Sequence, residues 1–375
     1  MNCTSLYIHV PFCSAGKCDY CDFYSVLAGA RRDAVMDLYI KSVIEDIKYQ
    51  LEYFNIDKVI TAYIGGGTPS ALGAQRLRVL LKALNAIPCF SPVEFSIEAN
   101  PETLTEEFLS VCRKGGINRI SIGVQTFNER ARLAVNRIGQ ARLIEKQLKL
   151  VSKFFSGGFS ADIITGLPYQ NEKSVSEDIK RILDFNPSHV SLYSLTVEKG
   201  TPLEKNIKSG KILLPDGETS EFLWLTGRGA LIDAGFDHYE VSNFALKGKR
   251  CLHNIRYWNM DGWLGAGPSA SGTVINENDA NAKRFTFASD LQLYINSPCV
   301  HNAAIEELDS VALIRENLLM GYRLCEGMDG NKFRRRFGRA IEECIPQTLE
   351  RWKEKDIMLF LNSFLIDAFS ELSKT

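Results

Sequence analysis

The sequence has almost no net charge, no long apolar run and no repeat, and each absence removes a class of function. Lys and Arg number 44 against 45 Asp and Glu, a formal balance of −1, so there is no positive field to hold nucleic acid or an anionic membrane. No segment approaches the roughly 18–20 unbroken apolar residues of a bilayer-crossing helix. Met1-Asn2-Cys3-Thr4-Ser5 lacks the basic start and apolar stretch of a secretory signal, which leads us to expect a cytoplasmic protein. Solenoid repeats and low-complexity tracts are missing as well. At 45% hydrophobic and 24% charged over 375 residues, the composition suits one large folded domain and a smaller one. The 10 cysteines read as thiols and metal ligands, not as a disulfide framework.

What recurs is a short apolar run followed by a longer amphipathic segment. The runs 5–10, 58–64, 93–98, 119–123, 159–164 and 189–195 are rich in Ile, Val, Phe and Tyr, as buried strands are. Segments 36–51, 75–86, 143–155 and 175–185 space Leu, Ile and Val as helices do. Six strand-then-helix units predict an α/β fold with parallel strands and right-handed crossovers, a barrel or an open sheet. In either, chemistry collects at the carboxyl ends of the strands. Unusual residues stand at those ends: Cys13 after the first strand and Gly65-Gly66-Gly67-Thr68-Pro69-Ser70 after the second. Glu98-Ala99-Asn100-Pro101 closes the third, Gln125 follows the fourth, and Asp162 lies in the fifth with Gly166-Leu167-Pro168 beyond it. Past residue 200 the pattern changes. Residues 218–234 read as a helix, 239–244 as a strand leading into a loop, 262–272 as a Gly- and Ser-rich loop, and those from about 305 as helices only.

Cys13, Cys18 and Cys21 are spaced C-x4-C-x2-C. Three thiolates this close can hold three corners of a 4Fe–4S cluster and leave the fourth iron open. Spacing alone leaves zinc as the lesser alternative, with a distant residue such as His9 as fourth ligand. The triple glycine allows a tight turn and a close backbone approach to a ligand, but lacks the lysine of a phosphate loop.

Tyr7-Ile8-His9-Val10-Pro11-Phe12-Cys13 followed by Cys18-Asp19-Tyr20-Cys21 resembles the cluster loop of the radical S-adenosylmethionine (radical SAM) superfamily. More narrowly it is similar to the oxygen-independent coproporphyrinogen III oxidase family and its haem-chaperone branch, HemW, from Tyr7 to about Ser271. The resemblance implies a partial (β/α)6 radical-SAM barrel with a mostly helical C-terminal accessory domain. The core barrel would be 1–235, a barrel extension 236–304 and the accessory domain 305–375. It further implies a 4Fe–4S cluster on Cys13, Cys18 and Cys21, and one or two SAM molecules contacted by Tyr7, Tyr20, Gly67, Thr68, Glu98, Gln125, Arg137 and Asp162. These residue types suit such a ligand, because carboxylates accept from ammonium or hydroxyl groups, Gln both donates and accepts, and Arg forks onto a carboxylate. The family spacing is C-x3-C-x2-C, so the loop here is one residue longer, and Gly16 is expected to take a bend closed to other residues. After Arg137, Ile138-Gly139-Gln140-Ala141 departs from the basic, His-containing stretch usual in the family.

Two features resemble the chaperone branch more than the oxidases. Asp22-Phe23-Tyr24-Ser25 follows Cys21 where the oxidases carry another cysteine two positions on, and His253-Asn254-Ile255-Arg256-Tyr257-Trp258 matches an HNxxYW motif. Imidazole can ligate haem iron and aromatic rings can cover a porphyrin, which makes His253 the expected haem contact and Cys251 a weaker alternative. The resemblance implies a chaperone that holds the cluster, SAM and haem, and delivers haem to apo-proteins such as respiratory enzymes. The alternatives are oxidative decarboxylation of coproporphyrinogen III to protoporphyrinogen IX, and a zinc-stabilised binding module. Arg334-Arg335-Arg336 reads as a solvated helix face.

Overall fold

The computed structural model describes residues 2–13, 16–27 and 32–373. Strands β1 (Cys3–Val10), β2 (Lys58–Gly66), β3 (Phe90–Ala99), β4 (Arg119–Gln125), β5 (Phe159–Thr165) and β6 (His189–Ser194) lie side by side in sequence order, all parallel. The crossovers carry α1 (Arg32–Tyr53), α2 (Gly73–Asn85), α3 (Glu106–Lys114), α4 (Glu129–Ala134), α5 (Ala141–Phe154) and α6 (Glu172–Leu183). After β6 come α7 (Pro202–Lys208) and α8 (Gly217–Asp233). The short α3, which apolar spacing does not announce, is started by Thr105, whose hydroxyl accepts from the Phe108 N–H at 3.1 Å.

Side chains alternate along each strand, and the two faces differ in chemistry. Leu6, Ile8, Ala62, Ile64, Phe95, Ile97, Ile120, Ile122, Ala161, Ile163, Val190 and Leu192 join one buried apolar cluster with helix residues such as Leu77, Phe108 and Leu148. The alternate positions line the barrel interior and are polar. Ser96, Glu98, Arg119, Ser121, Ser160, Asp162, His189 and Ser191 surround a cavity of about 50 Å³ there. Several of these buried polar groups bond to one another, as Thr61 does to Ser5 at 2.9 Å and Ser160 to His189 at 2.7 Å, whereas Ser96 Oγ and Arg119 Nη2 have no protein partner.

Beyond α8 the sheet grows at both edges. β7 (Asp237–Glu240) and β8 (Asn243–Ala245) form an antiparallel hairpin against β6. The single strand expected over 239–244 is therefore broken, with Val241-Ser242 at the turn. At the other edge β9 (Trp263–Ala266) runs parallel to β1, so the expected 262–272 loop contains a strand. Its Gly265 is needed because a Cβ there would lie 2.3 Å from the Ser271 carbonyl. Antiparallel β10 (Ser271–Asn276), β11 (Asn281–Thr286) and β12 (Ala304–Leu308) follow. The segment past 305 is thus not helical throughout, and β12 straddles the expected boundary at 305. It escapes the periodicity because it is an edge strand with Glu306 and Glu307 paired to Arg284 and Lys283. The outermost strands β7 and β12 do not pair with each other among the described residues, so the barrel stays open.

Five C-terminal helices, Ser310–Gly321, Gly330–Phe337, Ile341–Cys344, Pro346–Trp352 and Leu361–Leu372, share a small core of Leu318, Phe333, Ile345, Trp352 and Phe364. The arginine run is only partly solvated. Arg334 and Arg335 are exposed, but Arg336 is buried and donates to Glu277 at 2.8 Å and to the Met260 carbonyl at 3.0 Å. It thereby ties its helix to the barrel. Among the described residues no helix is long and apolar enough to cross a membrane.

Candidate functional site

The carboxyl ends of β1 to β6 open into a cleft of about 470 Å³. Cys13, Cys18, Cys21, Tyr20, Gly67, Thr68, Glu98, Gln125, Arg137 and Asp162 all line it. Tyr7 and His253 do not. A larger groove of about 780 Å³ between α2 and α3 carries none of these groups.

The cysteine loop is pinned by its neighbours. Backbone N–H groups of Gly67 and Thr68 donate to the carbonyls of Val10 (2.8 Å) and Phe12 (2.7 Å), so the glycine turn grips the segment carrying Cys13. A Cβ on Gly67 would sit 2.8 Å from the Phe12 carbonyl oxygen, which explains the glycine. Gly16 adopts φ +123°, the bend that the longer loop requires. Further along, the Asp19 N–H donates to the Val135 carbonyl (3.0 Å), and Arg137 Nη1 reaches Cys18 Sγ at 3.6 Å. Burial holds the Cys21 thiol up at about 11.

Among the described residues, no three His, Cys, Asp or Glu converge on a single ion position. A zinc site would need such convergence at about 2.0–2.3 Å per ligand, whereas a cluster takes each thiolate on a different iron. His9 is not available as a fourth zinc ligand either. Its Nδ1 pairs with the Tyr7 hydroxyl (3.1 Å) and its Nε2 with the Tyr24 carbonyl (2.9 Å).

Across the cleft stand two buried carboxylates. Glu98 accepts from the Tyr63 hydroxyl at 2.9 Å and the Gly66 N–H at 3.3 Å. Asp162 accepts from the Ser121 hydroxyl at 2.9 Å. Burial first, and then the charge of Asp162, pushes Glu98 up to about 7, while burial raises Asp162 to about 6. Such a pair is short of positive charge, and an ammonium or sulfonium group relieves it. Arg137 donates to the Gly123 carbonyl (2.6 Å) and Asn100 Oδ1 (2.9 Å), while its buried Nε has no protein partner. Gln125 sits at a register shift with φ +69°, a left-handed conformation uncommon outside glycine. Buried Asp178 holds the bend by accepting from the Thr126 hydroxyl (2.5 Å) and the Phe127 N–H (2.8 Å). Thiols, an unpartnered donor, charge-poor carboxylates and a glycine cradle fit the cluster and the cationic amino-acid ligand that the resemblance implies.

A pH dependence follows. Glu98 titrates at about 7 in the folded protein against an ordinary 4.5, so between these values the folded state binds more protons than the unfolded one. The Glu98 contribution to the stability of the ligand-free protein therefore falls as pH rises through that window, while the buried His189, His238 and His253, whose values are lowered, act the other way. Thermal unfolding from about pH 5 to about pH 8 should show wild type losing stability relative to Glu98→Gln. A wild-type midpoint that rises relative to the variant over this range would contradict it.

The two residues outside the cleft are engaged by neighbouring protein groups. Tyr7 is bonded to His9, and its ring stacks on Tyr63 at 6.4 Å, behind the residue that donates to Glu98. His253 lies on α9 (Leu252–Trp258) and is 1% exposed. Its Nδ1 is 2.9 Å from the Thr61 hydroxyl and its Nε2 2.8 Å from the Tyr257 hydroxyl. Both ring nitrogens of His253, the expected haem contact, are thus engaged by protein groups. Cys251 is no better placed, being buried against Glu94 with its thiol pushed up to about 12. Glu94, inside the barrel, accepts the backbone N–H groups of Leu252 (3.0 Å) and His253 (2.9 Å), capping α9. Arg256 donates to Ser5 at 2.6 Å. Ser5, Thr61 and Glu94 belong to the early halves of their strands, so α9 plugs the end of the barrel opposite the cleft.

Sequence reasoning missed Tyr63, Ser121 and Tyr193, which face the same interior. The available signal was period two, since Tyr63 precedes Gly65 by two residues and Ser121 precedes Gly123 by two.

Residues 7–182 match the model of the radical SAM superfamily. The protein named heme chaperone HemW from Lactococcus lactis is 34% identical over 92% of this chain and 90% of its own length. Its namesake from Bacillus subtilis is 28% identical over 94% and 92%, and that from Escherichia coli 34% over 72% and 70%. Among solved structures, the radical SAM enzyme coproporphyrinogen III oxidase (HemN) from Escherichia coli superposes with a TM-score of 0.78, covering 98% of this chain and 90% of that one. At 21% identity that likeness speaks for the fold alone. By its sequence relatives and its fold, this chain belongs to the radical SAM superfamily and, within it, to the HemW family.

Proposed function

We propose that this protein is a cytoplasmic haem chaperone that binds a 4Fe–4S cluster and SAM in the cleft, accepts haem, and passes it to apo-proteins, respiratory haem enzymes among them. The carrying observation is the near full-length match to relatives named for that activity, 34% identical over 92% of the chain. Cys13, Cys18 and Cys21 would hold the cluster. Glu98 and Asp162 would take the cationic groups of SAM, the free Nε of Arg137 its carboxylate, and Gly67 would let the backbone approach. When bound and reduced, the cluster supplies an electron able to cleave SAM. The chain's own part is to orient the two and to exclude water from the carboxylate side.

The test is anaerobic reconstitution with iron and sulfide, then haem titration followed by absorbance, with a parallel assay on coproporphyrinogen III. The expected result is an iron–sulfur absorption band, stoichiometric haem uptake and no protoporphyrinogen. Turnover of coproporphyrinogen would replace the chaperone with the decarboxylase, and one zinc without sulfide would remove the cluster.

A further inference from the structure

We propose that ferric haem iron binds at the Tyr49–His301 pair on the outer surface of the barrel, with the Tyr49 oxygen as axial ligand and His301 as acceptor of its proton. This rests on the haem-chaperone reading and names the site that reading lacks.

All five histidines are among the described residues, and four have both ring nitrogens engaged by protein groups. These are His9 and His253, described above, His189 between Ser160 (2.7 Å) and Tyr239 (2.9 Å), and His238 between Arg228 (3.2 Å) and the Val241 carbonyl (3.4 Å). His301 alone is exposed. It lies on the short turn Val300–Asn302, with Nε2 2.5 Å from the Tyr49 hydroxyl.

The surroundings suit a porphyrin. Tyr49 and Tyr53 stand one turn apart on α1 with rings stacked at 5.7 Å and 15°. His301 meets both edge-on, at 5.7 and 4.9 Å. Tyr49 is 36% exposed and Tyr53 50%, and neither belongs to a buried apolar cluster of the described residues. These three rings rest on the core at one side only, where Tyr53 packs edge-on against Phe54 at 4.9 Å, and their exposed side offers aromatic surface and a polar tip to a planar ligand.

Tyrosine oxygen is an established type of haem-iron ligand. As the Fe–O bond forms the phenol O–H bond breaks, and the proton passes to His301 Nε2, giving an iron-bound phenolate and an imidazolium. No electron moves, so no oxidant or reductant is needed. The pair sits where α1 ends and the chain turns back toward the start of β2, whereas the cleft lies past the far end of β2. Cargo and SAM therefore occupy different ends of the barrel, and haem uptake needs no SAM.

The experiment titrates hemin into the full, cluster-loaded chain and compares wild type, Tyr49→Phe and His301→Ala by absorbance and resonance Raman. Tyr49→Phe keeps the ring stack and removes only the oxygen, and unchanged cluster absorbance and circular dichroism confirm folding. Wild type should show a phenolate-to-iron charge-transfer band whether or not SAM is present. Tyr49→Phe should lose that band, and His301→Ala should bind about 10-fold more weakly, as loss of a ligand's hydrogen-bond partner does. Wild-type affinity and spectrum in both variants would overturn the site and leave the chaperone reading standing. Failure of wild type to take up hemin would overturn the chaperone reading itself.

Discussion

Replacing Arg132 with leucine is expected to cost about 3–5 kcal/mol of stability, the range for removing one partner from a buried charged network. Arg132 is 1% exposed. Its Nη1 donates to the carbonyls of Val124 (2.7 Å) and Thr126 (3.1 Å), its Nε to that of Gly139 (2.8 Å), and its Nη2 to Glu102 (3.2 Å) and the Ile138 carbonyl. Leucine fills part of the volume but removes all of those bonds; the Val124 carbonyl keeps the Thr126 N–H at 2.9 Å, while the other acceptors lose the guanidinium as donor. The same bonds fold residues 136–140 back onto β4, and that loop carries Arg137 into the cleft. Affinity for SAM should therefore fall along with stability. Urea denaturation of the variant, with SAM binding by calorimetry on whatever remains folded, checks both. A loss under about 1 kcal/mol would show that water replaces the guanidinium and that the network is not a structural keystone.

Replacing Cys18 with serine is expected to abolish the iron–sulfur absorption of the reconstituted protein and SAM binding with it. Serine keeps the size of the side chain but not the soft thiolate donor that iron–sulfur clusters require. Cys18 is also where the loop meets Arg137 Nη1, at 3.6 Å, so the change removes a proposed ligand and one of that guanidinium's partners together. Cys325, exposed and outside the cleft, is the matched control: Cys325→Ser should reconstitute as wild type. Iron and sulfide per chain, measured with the absorbance, decide the matter. Retention of a full cluster in Cys18→Ser would mean that another group serves as ligand.

Much of the site is local in the chain. Cys13, Cys18 and Cys21 lie within one loop, and the glycine turn, Glu98, Gln125 and Asp162 each terminate or occupy a strand whose apolar neighbours announce it. Because a parallel barrel presents all its strand ends on one rim, recognising the strands is enough to bring those residues together. The extra residue of the cysteine loop and its remedy at Gly16 are legible for the same reason, since the conformational freedom of glycine is an intrinsic property.

Where expectation and structure part, distant segments meet. His253 reads as a ligand because an imidazole beside aromatic residues has that chemistry, but Thr61 and Tyr257 close both its nitrogens, and Thr61 lies 192 residues away in sequence. Arg336 reads as solvated within a basic run until Glu277 and Met260 bury it. β9 and β12 escape notice because a short Gly-rich strand and an acidic edge strand have no apolar alternation of their own and exist only by pairing with β1 and β11.

The sequence by itself therefore determined the six-strand series, the rim and the residues on it, which depend on periodicity and short spacing, and, through the resemblance of its motifs, the family. Only the tertiary structure decided that the barrel interior is polar and that α9 plugs its far end. It alone decided that Arg132 holds the Arg137 loop and that Tyr49 meets His301 across 252 residues. These depend on which strands become neighbours and in what register, and no local pattern encodes a hydrogen bond whose partner arrives from another part of the chain.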